Sequence, residues 1–251
     1  MVSKSVLEEK LNLVTERMLS LKSNGMKEKY PISLIDIQCW EWPQGVGLFG
    51  LYKYYRMSER QDILDFLINW YDRHLKAGIP ERNVNTTSPM LTLTYLYERT
   101  HNELYLEFIK DWADWIMKDK KLIRTGDGCF QHMITGDPND NEILIDTLFM
   151  TVLFLARAGR ILNRSDYMEE AGYQILSHIK YLLNKQEGLF CHGFNFARND
   201  NYGGILWGRG NCWYTIVVME LIQESEIDGA LKRFLLNVYE NQVKALKRYA
   251  Y

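Results

Sequence analysis

The 251-residue chain has no Pro-, Gly- or Ser-rich stretch that reads as a linker, so a single domain over residues 1–251 is expected. It has almost no net charge. Thirty basic residues against 32 acidic ones leave −2, which excludes recognition of nucleic acid by a broad electropositive field and requires any anionic ligand to be held by a local cluster. Its four cysteines, Cys39, Cys129, Cys191 and Cys212, show no CxxC spacing, so neither a zinc ribbon nor a thioredoxin-type pair is indicated and they read as reduced thiols. No run of about 18 apolar residues is present to span a bilayer, and the charged N-terminus MVSKSVLEEKLNLVTERM lacks an uninterrupted apolar segment. A soluble, cytoplasmic protein is the expectation, with neither membrane nor nucleic acid as a partner. Asp137, Asp140 and Asn141 have the composition of a calcium loop without its offsets, and Gly208-Arg209-Gly210 lacks the Lys and preceding strand of a phosphate loop. Neither a metal nor a cofactor is implied.

What the chain does have is 47% hydrophobic residues, 13% aromatics, and apolar positions at three- and four-residue spacings. The periodicity predicts helices over 5–22, 45–57, 59–75, 86–99, 102–118, 146–162, 165–183, 210–223 and 228–247, and no strand. An all-α protein follows. A junction repeats between these helices: Tyr55-Arg56-Met57-Ser58 before Asp62-Ile63-Leu64, Glu98-Arg99-Thr100 before Leu104-Tyr105, and Gly159-Arg160-Ile161 before Asp166-Tyr167. The repeat predicts stacked hairpins joined by short turns on one side. The other side carries long loops with a second repeat, Gly128-Cys129-Phe130-Gln131-His132 and Gly188-Leu189-Phe190-Cys191-His192. If the hairpins repeat in space these loops lie side by side, which is how a rigid helical scaffold presents a site. Alternatively each is a small turn or hairpin with its histidine satisfied by backbone.

Three stretches could carry chemistry. In NEILIDTLFMTVLFLAR a single carboxylate, Asp146, opens an apolar run, where it either caps the helix, with a lowered pKa, or handles protons in a partly dry setting. In NDNYGGILWGRGNCW, Trp207 offers a stacking face and Arg209 a fork of donors suited to a carboxylated sugar ring. The competing reading packs Trp207 and Trp213 inward and pairs Arg209 with an acid. Trp42, in the aromatic lead-in CWEWPQGVG, lines a cleft or plugs the core, and the polar run Asn83 to Ser88 reads as helix capping.

The segments WEWPQGVGLFGLYKYY, NVNTTSPMLTLTYLYE, GCFQHMI with DTLFMTVLFLARAG, and FCHGF with GILWGRGNCW, in this order, resemble the unsaturated rhamnogalacturonyl hydrolases of glycoside hydrolase family 105. The resemblance covers nearly the whole chain. It implies an (α/α)6 toroid and an oligosaccharide substrate bearing a 4,5-unsaturated galacturonic acid. It further implies cleavage by hydration of the double bond, with Asp146 as acid/base, His192, Trp207 and Arg209 as substrate-binding residues, His132 beside them and Trp42 as a wall. A second Asp implied near the start of the Thr86 helix is here Asn85, which counts among the substrate-binding residues but cannot share a proton. Twelve helices are implied against the nine read here. The chain is therefore expected to be a toroid incomplete at its C-terminus, either an incomplete version of the family protein or one whose open faces a second copy covers in a homodimer. Hydrolysis of unsaturated glucuronyl disaccharides, a sugar epimerase, and a non-catalytic or weakened toroid that binds sugar or dimerises are the alternatives.

Overall fold

The computed structural model describes residues 3–22, 36–118, 122–224 and 227–249. Among them are nine α-helices: α1 (Lys4–Leu19), α2 (Trp42–Ser58), α3 (Gln61–Ala77), α4 (Val84–Thr100), α5 (Glu103–Met117), α6 (Leu153–Ile161), α7 (Ser165–Leu182), α8 (Gly208–Glu224) and α9 (Gly229–Lys247). Each corresponds to one periodic segment. α2, α4, α6 and α8 pack on one another in that order, and α3, α5, α7 and α9 each lie against the helix they follow. The result is an inner row of helices covered by an outer one, the plan of an α/α toroid.

Burial explains which helix goes where. α4 is buried at every position from Val84 to Leu96, as a helix surrounded on all sides must be. The outer α3 and α5 instead bury one stripe each, Ile63, Leu64, Leu67, Trp70 and Tyr71 on the first, Tyr105, Ile109, Trp112 and Ile116 on the second. The short junctions also share a device. Glu59, His101 and Asn163 all take left-handed φ values of 52–55°, and the N–H groups of Glu59 and His101 bond back to the Tyr55 and Tyr97 carbonyls, so each helix stops and the chain reverses within a few residues. Beside these turns, the fully buried Arg157 of α6 donates to Thr94 at 2.8 Å, lies over the Tyr95 ring and pairs with Glu98 of α4. Burying that guanidinium is tolerable because its charge is fully engaged.

Periodicity predicts no strand, and here the structure corrects it, in the direction of the small hairpins that are the alternative reading of the Gly-x-Phe-x-His loops. β1 (Glu142–Leu144) pairs antiparallel with β4 (Gly193–Asn195), and β2 (Leu183–Asn184) pairs with β3 (Leu189–Phe190). Two- and three-residue strands are too short for an alternating pattern to show. They lie in the long connections α5–α6 and α7–α8, opposite the short turns. A second correction concerns the start of the 146–162 helix. Residues Leu148–Val152 form a π-turn before α6, and both the Phe149 and Met150 N–H groups bond to the Asp146 carbonyl. Such a widened turn is frequent next to functional groups.

Gly45 of α2 sits against α4 so closely that a Cβ there would lie 2.3 Å from Ser88 Oγ and 2.6 Å from the Ser88 carbonyl carbon. Gly50, on the same helix, faces open space. Gly45→Ala is expected to destabilise the protein by about 1–3 kcal/mol through overpacking, while Gly50→Ala stabilises it by roughly 0.5–1 kcal/mol through helix propensity. Denaturant midpoints of the two variants check this; equal effects would show that the α2–α4 contact is looser than described.

Candidate active site

The loop end of the toroid is built around a three-segment backbone patch. β1 continues to Ile145, whose N–H bonds the His192 carbonyl at 3.0 Å, and the His192 N–H in turn bonds the Ile205 carbonyl at 3.0 Å. On the far side of β1, the His132 N–H bonds the Glu142 carbonyl at 2.9 Å. The two Gly-x-Phe-x-His loops thus flank one strand, as their repetition suggested. Asp146 leaves the end of this patch, immediately before the π-turn.

The Asp146 side chain caps no helix N–H. Its Oδ1 accepts the Trp213 indole N–H at 3.0 Å, and its Oδ2 faces His192 Nε2 at 3.5 Å, long for a hydrogen bond, with no closer partner. Burial pushes this carboxyl up, but the His192 contact, the field of the two histidines and the Trp213 donor outweigh it and hold Asp146 below its ordinary value. His132 is buried, bonds Thr147 Oγ1 at 2.9 Å, and is driven down to about 4 chiefly by desolvation. It is therefore neutral near pH 7, so at that pH His192 and Trp213 oppose the desolvation of Asp146.

Beside His192 the aromatics form a wall. The Trp207 ring lies 4.5 Å from the His192 ring, and the Arg209 guanidinium sits 4.0 Å from the Trp207 centroid and 5.4 Å from that of Trp42. Arg209 is exposed and forms no ion pair among the described residues, so the acid partner that would have made it structural is not there. Its charge is held between two indole faces, each such contact contributing about 0.5–1 kcal/mol when exposed. Close approach of α8 makes this possible: a Cβ on Gly210 would lie 2.8 Å from Ile145 Cγ2 and 3.1 Å from Trp207 Cε3. Trp213 packs inward, as one reading of the loop had it, its ring 5.0 Å from that of Phe149, yet it also grips the carboxylate.

Asp146, His192, Trp207, Arg209 and Trp42 are thus joined by direct contacts, and His132 stands one residue removed through Thr147. Asn85 is less closely tied. It is buried in the first turn of α4, where the Val84 N–H bonds the Met133 carbonyl at 3.0 Å, and its amide has no hydrogen-bond partner among the described residues. The helix there begins at Val84, with Asn83 and Thr86 forming a reciprocal cap, so Asn85 lies inside the helix rather than before it. Two contacts of the candidate site escaped the sequence reading, Trp213 on Asp146 and Thr147 on His132. The first had a signal, because Arg209 and Trp213 are four apart and share a helix face. A separate groove of about 820 Å³ between α7 and α9 contains none of these residues.

A helical toroid with one held carboxylate and an aromatic-cationic wall at its loop end is the class of protein that fold and site define. The chain belongs to Glycosyl Hydrolase Family 88, whose sequence model matches residues 14–250. It is 28% identical over 211 residues to the unsaturated rhamnogalacturonyl hydrolase YesR of Bacillus subtilis, covering 83% of this chain and 61% of that one. It is 25% identical over 215 residues to an unsaturated 3S-rhamnoglycuronyl hydrolase of an Alteromonas species, covering 82% and 52%. The chain thus spans between about half and three fifths of the length of these curated relatives. A crystal structure from Salmonella enterica, described as a possible member of glycoside hydrolase family 105, superposes with a TM-score of 0.91 at 34% identity, covering 99% of this chain and 67% of that one. Families 88 and 105 therefore both appear among its relatives, the second being the one the sequence resembles. No helix among the described residues is long and apolar enough to cross a membrane.

The buried histidines make the fold acid-sensitive. His132 and His178 are both pushed from 6.5 to about 4 by burial, so the unfolded chain binds their protons first and stability falls as pH drops from about 6.5 towards 4. Asp146, held low, adds a loss in the same direction as pH passes below the ordinary carboxylate range. Between pH 7 and 5 each histidine is expected to cost about 2 kcal/mol. Urea midpoints at the two pH values measure it, and a flat dependence would show these imidazoles to be solvated.

Proposed function

We propose that the protein is a glycoside hydrolase that removes a 4,5-unsaturated galacturonyl residue from rhamnogalacturonan oligosaccharides by hydrating the double bond. The observation that carries this reading is the joined set of a buried carboxylate, Asp146, contacting His192 and Trp213, beside Arg209 clasped by Trp42 and Trp207. Arg209 suits the sugar carboxylate, and Trp207 its ring face. The names of both curated relatives join an unsaturated uronyl group to a rhamno- unit, which favours rhamnose-linked over glucuronyl-linked disaccharides. A single domain working in the cytoplasm is part of the same proposal.

In the free protein Asp146 is held ionised, so the acid form must be generated by the substrate. An arriving uronate brings a second negative charge and displaces water, and both effects raise the Asp146 pKa. The protonated Asp146 delivers its proton to the double-bond carbon away from the sugar carboxylate. Electron demand at the ring carbon bearing the carboxylate then draws in a water, whose proton returns to Asp146 as the new C–O bond forms. The hemiketal so produced opens, expelling the leaving sugar as an alcohol. One carboxylate thus serves in turn as acid and base, where ordinary glycosidases divide these roles between two. Asn85, whose amide has no partner among the described residues, lies in the first turn of α4, is available to bind a hydroxyl and has no titratable proton to give.

An unsaturated galacturonyl-rhamnose disaccharide is expected to lose the ultraviolet absorbance of its conjugated double bond with the intact protein, and Asp146→Asn to lower that rate by at least about 10²–10³-fold. No loss with the intact protein would overturn the proposal. Trp213→Phe removes the donor that favours the charged carboxylate, so the alkaline limb of the pH–rate profile is expected to move up by as much as about one unit. An unmoved limb would mean that Trp213 only fills space.

A further inference from the structure

One exposed apolar residue stands in the site without a role so far. Ile205 is 59% exposed, yet its carbonyl accepts the His192 N–H. The antiparallel bridge of Cys191 to Leu206 sets Ile205 directly opposite His192, and opposite residues of an antiparallel pair project to the same face. Ile205 therefore projects beside the imidazole that meets Asp146.

Next to it, Tyr202 is held in a conformation that an aromatic residue rarely adopts. Its φ is +57°, its N–H is fixed by Asp200 Oδ1 at 2.6 Å, and its ring lies edge-on to His192 at 6.3 Å. β4 makes room for that ring with a glycine: a Cβ on Gly193 would lie 2.5 Å from Tyr202 Cε2. The Asp200 bond and the space left by Gly193 thus hold Tyr202 beside the imidazole. The nearby Arg198 is neutralised by Glu142 at 3.3 Å and Asp200 at 3.1 Å, so it offers no unpaired cation for a charged group.

His192 consequently divides the wall into two unlike halves. One group that meets it, Trp207 with Arg209 and Trp42, is aromatic and cationic; the other, Tyr202 with Ile205, is aromatic and aliphatic, and the cation nearest it among the described residues, Arg198, is paired. The first half suits the ring that bears a carboxylate, which leaves the second for the sugar on the other side of the scissile bond. We propose that Tyr202 and Ile205 receive the leaving sugar, and that Ile205 selects a 6-deoxyhexose by contact with its methyl group, a reading that rests on the hydrolase activity proposed above. A hydroxymethyl group at that position would set a hydroxyl against the isoleucine, and a sulfate or carboxylate would find Arg198 already paired.

The test compares two disaccharides that share the unsaturated uronic acid, one with a methyl on the leaving sugar and one with a hydroxymethyl in its place. A methyl-sized contact in an apolar site is worth about 10–200-fold in specificity. The intact protein is expected to prefer the methyl substrate about tenfold in kcat/KM, Ile205→Val to keep that preference, and Ile205→Asn to lower it towards one. The ratio of the two substrates is the readout, since a merely structural defect would lower both equally. Equal turnover of the two by the intact protein, or an unchanged ratio in Ile205→Asn, would overturn the assignment while leaving the hydrolase reading in place. Turnover of neither would overturn both.

Discussion

Everything at the loop end of this protein follows from the need to keep one carboxylate charged out of water. Asp146 has little exposure, and a bare carboxylate there would simply take up a proton. It stays ionised because an indole N–H and an imidazole are aimed at its two oxygens. These partners come from distant parts of the chain, Trp213 from the first turns of α8 and His192 from the connection before it. The site is therefore no sturdier than the fold that brings these segments together.

The fold is arranged to do so. At one end, hairpins close through residues in the left-handed region, and Arg157 with Glu98 ties α4 to α6 beside those turns. At the other end the connections are long, and three of their segments knit together through backbone bonds at Ile145, His192 and Ile205. That small patch fixes the acid, its imidazole partner and the apolar rim in register, while Gly210 and Gly193 let α8 and Tyr202 approach it closely. Small residues are thus placed where bulk would push these side chains apart. A displacement of about one ångström in such a site is enough to cost roughly 10²-fold in rate.

Much of this was legible in the sequence, for a physical reason in each case. Helices announce themselves over several turns, so the nine long segments and the short junctions were visible in apolar spacing. The recurrence of Gly-x-Phe-x-His indicated loops that meet, and the structure sets them on either side of β1. Arg209 and Trp207 were legible as a pair because they lie two residues apart. Strands of two or three residues leave no periodic trace, and the π-turn after Asp146 depends on which carbonyl an N–H chooses, which residue type does not determine. Whether the Asp146 side chain caps its helix could not be decided from neighbours alone, because the partner it takes instead, Trp213, is 67 residues away. Asn85 was placed before its helix because its polar neighbours Asn83 and Thr86 resemble a loop until their reciprocal bonds are seen.

The central claim is that Asp146 gives its proton to a carbon atom, which no ordinary glycosidase does. Turnover of the unsaturated disaccharide in heavy water, followed by proton magnetic resonance of the product, tests that step directly. The account predicts one deuterium on the carbon that had shared the double bond away from the carboxylate. A released sugar whose uronic acid keeps its double bond, and carries no deuterium, would contradict it.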